Sequence, residues 1–163
     1  MISSVACPGC GLVHPHNGPD VELNYACSAG CYDCFSELTA YSLSLGDPYF
    51  IHQIAVDTYA AQHHLESFAA VRTNFALIGL CLVVEHGYTG RQVQQVHMEL
   101  PKQAWPVCVN SSPIGSVTVK DVIDCTAGME RFDIIHEWAE SVWSAWTAEH
   151  ERIRQIVTVM VRP

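Results

Sequence analysis

The rhythm of apolar positions changes near residue 31. Before it, Pro8, Gly9, Gly11, Pro15, Gly18, Pro19 and Gly30 interrupt the chain so often that neither a helical nor a strand period survives. After it, Phe35, Leu38, Tyr41 and Leu45 recur on one helical stripe. A helix is therefore expected from Cys31 to Leu45, with Gly46 as its stop. Asp47 followed by Pro48 has the form of a cap and a first-position proline, starting a second helix that reaches about His64. Ser67 is the expected cap of a third helix, which runs to about His86 and stops at Gly87. Its centre, Phe75 to Val84, is apolar on every side, the mark of a central buried helix. The β-branched content of that run leaves a strand as the alternative.

Thr89 can cap a fourth helix ending near Leu100. Pro101, Pro106, Pro113 and Gly115 make 101–117 a long ordered loop. Thr118 and Asp121 have capping-box spacing, with Asp in place of the usual Glu, for a short helix over 119–126. One long last helix is expected from Arg131 to Thr158. The pattern predicts an all-α protein, a bundle of five or six helices with a Cys-rich, metal-stapled N-terminal knuckle. Residues 1–163 read as one domain, with 1–30 as a leader packed on a bundle formed by 31–163.

Composition narrows the functions. The chain has 163 residues, of which 49% are hydrophobic and 15% charged, enough for a real core and unlike a disordered segment. Its net charge of −9 repels phosphate backbones and acidic lipid, so neither nucleic acid nor a membrane is an expected partner. The apolar run Phe75 to Val84 is too short to span a bilayer. The first residues lack the basic region and long apolar core of a targeting signal, so a cytoplasmic location is expected. There, closely spaced cysteines among the total of eight read as metal ligands before they read as disulfides. The leader is too poor in apolar residues to fold by burial alone, and a metal would supply what it lacks.

Cys7-Pro8-Gly9-Cys10-Gly11 is a tight knuckle able to grip an ion from one side. Cys27, Cys31 and Cys34 offer the remaining thiolates, with Cys31 and Cys34 at a helix start that favours the ionised form. The preferred set is Cys7, Cys10, Cys27 and Cys31, with Cys34 able to replace Cys27, and thiolate ligands of this kind point to zinc. Cys27, Cys31 and Cys34 also match the spacing of radical S-adenosylmethionine enzymes. Asp33 stands where those carry an aromatic, and the chain lacks the length and strands of their barrel. A plainer iron–sulfur protein remains the alternative. Cys81, Cys108 and Cys125 are isolated and read as core thiols.

On the second predicted helix, His52, Tyr59 and His63 share one stripe, while Asp57 lies well round from them. A two-histidine, one-carboxylate iron triad therefore fails as a single-face arrangement. On the last helix His136, Trp143, Trp146, His150 and Ile153 follow helical spacing. If the two stripes face each other, the bundle encloses an aromatic-walled pocket for a small molecule or a metal. The plainer alternative is that these side chains are core, each with a local hydrogen-bond partner. His14, His16, His86 and His97 are expected in loops or on the surface.

Four motifs together resemble a bacterial family of small Cys/His proteins with no established activity. They are Cys-Pro-Gly-Cys-Gly at 7–11, Ser-x-Gly-Cys at 28–31, His-Gln-x-x-Val-Asp-x-Tyr-x-x-Gln-His at 52–63 and Trp-Ala-x-x-x-Trp-x-Ala-Trp at 138–146. The resemblance spans Cys7 to about Arg154 and implies that Cys7, Cys10, Cys31, His52, Asp57, Tyr59, Gln62, His63 and His150 are the positions to test. Cys27 and Cys34 are extras to that pattern, Tyr32 replaces a usual Trp, and Glu149 stands where a second His is common. On that view Cys7, Cys10 and Cys31 would be completed by His52 or His63.

Three functions follow as expectations. The first is a zinc protein with a small-molecule pocket lined by Tyr59, Gln62, Trp143, Trp146 and His150. It would be a metal-dependent enzyme in which His52, Asp57 or His63 acts as acid, base or further ligand. The second is a non-catalytic interaction module with a purely structural zinc. The third is an iron–sulfur or thiol redox protein. No nucleophile elbow, phosphate loop or dinucleotide fingerprint is present, which disfavours serine acyl transfer, phosphoryl transfer and nicotinamide chemistry.

Overall fold

The computed structural model describes residues 2, 4–19, 22–65, 70–101 and 114–161. Among these, seven α-helices and one short 3-10 turn carry the chain, and the leader contains an isolated antiparallel bridge between Ala6 and Val13. The segment that is apolar all round is helical.

Helix α1, Ala29–Ser44, starts slightly before its predicted boundary because Ser28 Oγ accepts the Cys31 N–H at 3.2 Å. Gly46, at φ 60°, turns the chain out of it. Helix α2 is Ile51–Gln62, and its start differs from the expected one. Asp47 does cap, with its carboxylate accepting the Tyr49 and Ile51 N–H groups at 2.9 Å each. Phe50 then takes a left-handed conformation, φ 53°, as the residue before the helix. Pro48 therefore sits in a preceding turn and not at the first helical position.

Helix α3, Ala70–His86, ends at Gly87, φ 68°; its expected cap, Ser67, lies outside the described residues. Helix α4, Gly90–Glu99, opens on a full capping box between Thr89 and Gln92. Most of the predicted 101–117 loop lies outside the described residues. Helix α5, Val119–Asp124, is held at its start by the Asp121 carboxylate, which accepts the Thr118 N–H at 2.7 Å.

The predicted single last helix is two. Helix α6 is Met129–Ala145 and helix α7 is His150–Met160, separated by the 3-10 turn Thr147–Glu149. The break has a tertiary cause. Trp146 leaves helical geometry, φ −90° and ψ 30°, and its indole N–H donates to Ala61 O on α2 at 3.1 Å. His150 Nε2 caps the end by donating to Trp143 O at 2.8 Å. The chain turns there, and α7 packs along α3.

Helices α2 and α3 form the centre: α2 contacts α1, α3, α4 and α6, and α3 contacts α2, α4, α6 and α7. Leu77, Ile78 and Leu80 of α3 are fully buried against Ile135, Trp138 and Ile153 of the last two helices. Gly79 lets α2 and α3 approach, since a Cβ there would stand 2.1 Å from Asp57 Oδ2. Among the described residues no helix is long and apolar enough to cross a membrane. The leader lies across the C-terminal end of α2, joined by the Ala26 N–H donating to His63 O at 3.0 Å.

Candidate metal centre

The leader folds its first cysteine pair into a turn with its own backbone. The Cys7 N–H donates to Leu12 O and the Gly11 N–H to Cys7 O, both at 2.8 Å, with Gly11 at φ 76°. Both thiols of the knuckle thereby face the same side. Cys31 joins them from the first turn of α1, and His63 from the residue that ends α2. The ligand atoms of Cys7, Cys10, Cys31 and His63 lie within 4.8 Å of one another, a group that could hold a metal ion. Cys7, Cys31 and His63 are buried, and Cys10 is half-buried.

The spacing within the group suits a tetrahedral ion. Cys10 and Cys31 Sγ are 3.8 Å apart, and Cys31 Sγ is 3.4 Å from His63 Nε2. A tetrahedral zinc with ordinary bond lengths holds two sulfurs about 3.8 Å apart, and a sulfur and an imidazole nitrogen about 3.5 Å apart. A disulfide needs about 2 Å, so the thiols are not paired that way. The histidine tautomer suits it too. His63 Nδ1 lies 2.9 Å from Tyr59 O, a carbonyl that can only accept, so Nδ1 carries the proton and Nε2 presents its lone pair to the thiols. Gly9 fits under the imidazole, where a Cβ would come within 2.5 Å of His63 Cδ2 and 2.7 Å of Ala26 O.

Tyr59 braces the centre. Its ring stacks between Phe35, at 3.8 Å, and His63, at 4.0 Å, and its hydroxyl reaches Cys31 Sγ at 3.5 Å. Hydrogen bonds from Cys10 and Cys31 hold the Cys7 thiol far below the usual range. The Cys31 thiol is pushed up by its contacts with Cys10 and Cys7 and by burial. Three thiolates in so small a space would repel one another, and a cation among them would favour the ionised form of each.

Cys27, the preferred fourth ligand in the sequence reading, stands outside this group, and His63 takes that place. The Cys27 thiol faces the Tyr59 hydroxyl and is pushed up to about 11 by burial. Cys34 is buried in the core on α1. Cys81 is a buried thiol beside Glu85, pushed up to about 12 by burial. Cys108 lies outside the described residues. Cys81, Glu85 and His86 form a second close group. Its carboxylate is already engaged by Arg154, at 2.7 Å, and by the Trp143 indole, at 3.0 Å.

Apart from Tyr59, the other predicted site residues have partners outside the cluster of Cys7, Cys10, Cys31 and His63. His52, three turns before His63 on α2, bonds Ser42 Oγ through Nδ1 at 2.8 Å. His150 stacks on Trp143, ring centres 4.0 Å apart, and is held by the carbonyl of that residue. Gln62 is a structural tie. Its amide donates to Ile114 O at 2.7 Å and Val117 O at 2.8 Å, and its Oε1 accepts the Trp138 indole N–H at 2.9 Å. Four of the surface pockets among the described residues, of 190 to 310 Å³, have walls made by other residues than Tyr59, Gln62, His63, Trp143, Trp146 and His150.

Asp57 has a partner that the sequence reading missed. Its Oδ1 accepts a Gln53 amide N–H at 3.1 Å, while Oδ2 has no hydrogen-bond partner among the described residues and lies 3.7 Å from His97 Nε2. Burial pushes this carboxyl well above its usual range. His97 was expected on the surface, yet it is packed between α4 and α3, with Nε2–H donating to Phe75 O at 2.9 Å. The signal was available, because His97 follows buried Val93 by four residues and precedes buried Leu100 by three, a single face of α4.

Fold and ligand group define an all-helical protein with a three-cysteine, one-histidine cluster where its leader meets its first two helices. The chain belongs to a family of unknown function, DUF5946, whose model matches residues 5–147, a span that includes all four members of the cluster. Neither the curated proteins nor the solved structures include a match to it.

Proposed function

We propose that Cys7, Cys10, Cys31 and His63 bind one zinc ion, and that this ion is a structural staple in a non-catalytic binding module. The observation that carries the reading is the agreement of the 3.8 Å sulfur–sulfur and 3.4 Å sulfur–nitrogen distances with tetrahedral coordination. Three thiolates and an imidazole favour zinc over calcium or magnesium. Four protein ligands also fill a tetrahedral shell, which leaves no position for a metal-bound water. Water activation at this metal is therefore the weaker alternative. An acid–base enzyme built elsewhere draws support from one feature, the buried Asp57 carboxyl beside His97.

Elemental analysis of purified variants tests the proposal. The expected result is a colourless protein with one zinc per chain, lost in Cys31→Ser and His63→Ala and retained in Cys27→Ser. Zinc that survives His63→Ala but disappears with Cys27→Ser would restore the all-cysteine site.

A further inference from the structure

A second site lies at the start of α2, at the opposite end of that helix from His63. A pocket of about 300 Å³ opens between the turn before α2, the α3–α4 junction and α6. Its floor is apolar, made by buried Ile51 and Ile54. Tyr49, Tyr88 and Phe132 supply aromatic walls, and among the described residues that line it Asp47 is the only carboxylate and there is no lysine or arginine. The guanidinium of Arg91 lies over the Phe50 ring at 4.6 Å and bonds Gln94 at 2.5 Å.

The backbone around the pocket is built with unusual conformations. Phe50 holds a left-handed conformation, φ 53°, that a non-glycine residue rarely adopts. Gly90 is required where the two segments touch, since a Cβ there would stand 1.9 Å from Phe50 O. The Arg91 N–H locks the contact by donating to Tyr49 O at 2.8 Å. This fixes Tyr49 at the pocket rim although its side chain is 66% exposed.

We propose that this pocket binds a small organic ammonium ion carrying apolar groups. Aromatic faces attract such a cation through their quadrupoles, an apolar floor suits its methyl groups, and the Asp47 carboxylate supplies the opposite charge. An anion is the competing occupant, because two helices begin here. Their first N–H groups are largely spent: Ile51 on Asp47, Gln53 on Phe50 O, Arg91 on Tyr49 O and Gln92 on Thr89 Oγ1. His136 also lines the pocket and donates Nδ1–H to Phe132 O at 2.9 Å, so its Nε2 can accept a hydrogen bond from a ligand hydroxyl or N–H.

Three probes of one shape decide it: choline, its neutral carbon analogue 3,3-dimethylbutan-1-ol, and the anion 3,3-dimethylbutanoate. Each is titrated into the full-length, metal-replete protein and followed by calorimetry and amide chemical shifts. Choline should bind saturably, shifting the amides of Tyr49, Tyr88 and Thr89, and the other two should bind at least about tenfold more weakly. Asp47→Asn keeps one of the two capping bonds and removes the charge, and Tyr49→Leu removes one exposed ring; each should weaken choline binding about fivefold without changing the far-ultraviolet spectrum. Equal binding of the neutral analogue, preference for the anion, shifts confined to another part of the molecule, or no saturable choline binding in the millimolar range would each overturn the proposal. None of these outcomes depends on the identity of the metal.

Discussion

The leader before Ala29 and the bundle after it are held by different physics. Among the described residues from 2 to 28, only Cys7 and Gly9 are buried, and both belong to the knuckle of the candidate metal centre. The bundle buries Leu77, Ile78, Leu80, Ile135, Trp138 and Ile153 completely. One region depends on a few directional contacts meeting at a point, and the other on many weak contacts spread through a volume. Damage should therefore be abrupt in the first and graded in the second.

The largest separation should come from removing the metal. Zinc sites in small domains contribute about 10–16 kcal/mol of apparent binding energy, most of it folding energy. With a strong chelator present, limited proteolysis should cut the leader rapidly while far-ultraviolet circular dichroism keeps most of the helical signal. Parallel loss of leader and helix would abolish the contrast.

A bundle mutation should cost less, yet still be severe, without touching the metal. Gln62→Leu strands Ile114 O, Val117 O and the Trp138 indole N–H. Each stranded buried group costs about 1–3 kcal/mol, so a loss of about 3–5 kcal/mol is expected in urea unfolding, with zinc content unchanged. Zinc loss in this variant would mean that the two regions are not separable.

Gly9→Ala sharpens the boundary from the other side. Its Cβ would crowd the His63 imidazole and Ala26 O while all four ligand residues are retained in the sequence. Disturbing the support of a ligand lowers metal affinity about 10–100-fold, which competition against a zinc indicator can read. Helix stability should barely change.

The smallest effect is a pH dependence inside the bundle. The folded pKa of Asp57 is raised by burial, so the folded state binds the proton more tightly than the unfolded state does. Its neutral form is favoured at low pH, and its contribution to stability falls as pH rises from the unfolded carboxylate value towards the folded one. Asp57→Asn removes this dependence. The variant should match the native protein near pH 4 and gain on it as pH rises. A gap that is flat with pH would place an ionised carboxylate at this position.

Local chemistry explains which parts of this account were legible in the sequence. Thr89 and Thr118 announced helix starts, and Gly46 and Gly87 announced stops, because each acts on its own neighbours. The run from Phe75 to Val84 announced a central helix because no polar face interrupts it. The late start of α2 escaped, because the left-handed Phe50 is fixed by Gly90 and Arg91 from a distant segment. The break before α7 escaped likewise, since it follows from the Trp146 bond to Ala61 on another helix. Thiol spacing revealed Cys7, Cys10 and Cys31. The choice between Cys27 and His63 turned on the return of α2 to the leader, which spacing does not encode. The burial of His97 was legible from its place on the Val93–Leu100 face of α4, but its pairing with Asp57 was not, because that residue lies on another helix.

X-ray absorption at the zinc edge tests the central claim most directly, on protein purified without added metal. The account predicts one ion per chain with three sulfur neighbours at about 2.3 Å and one imidazole nitrogen at about 2.0–2.1 Å. Four sulfur neighbours, oxygen in the shell, or no bound metal would contradict it.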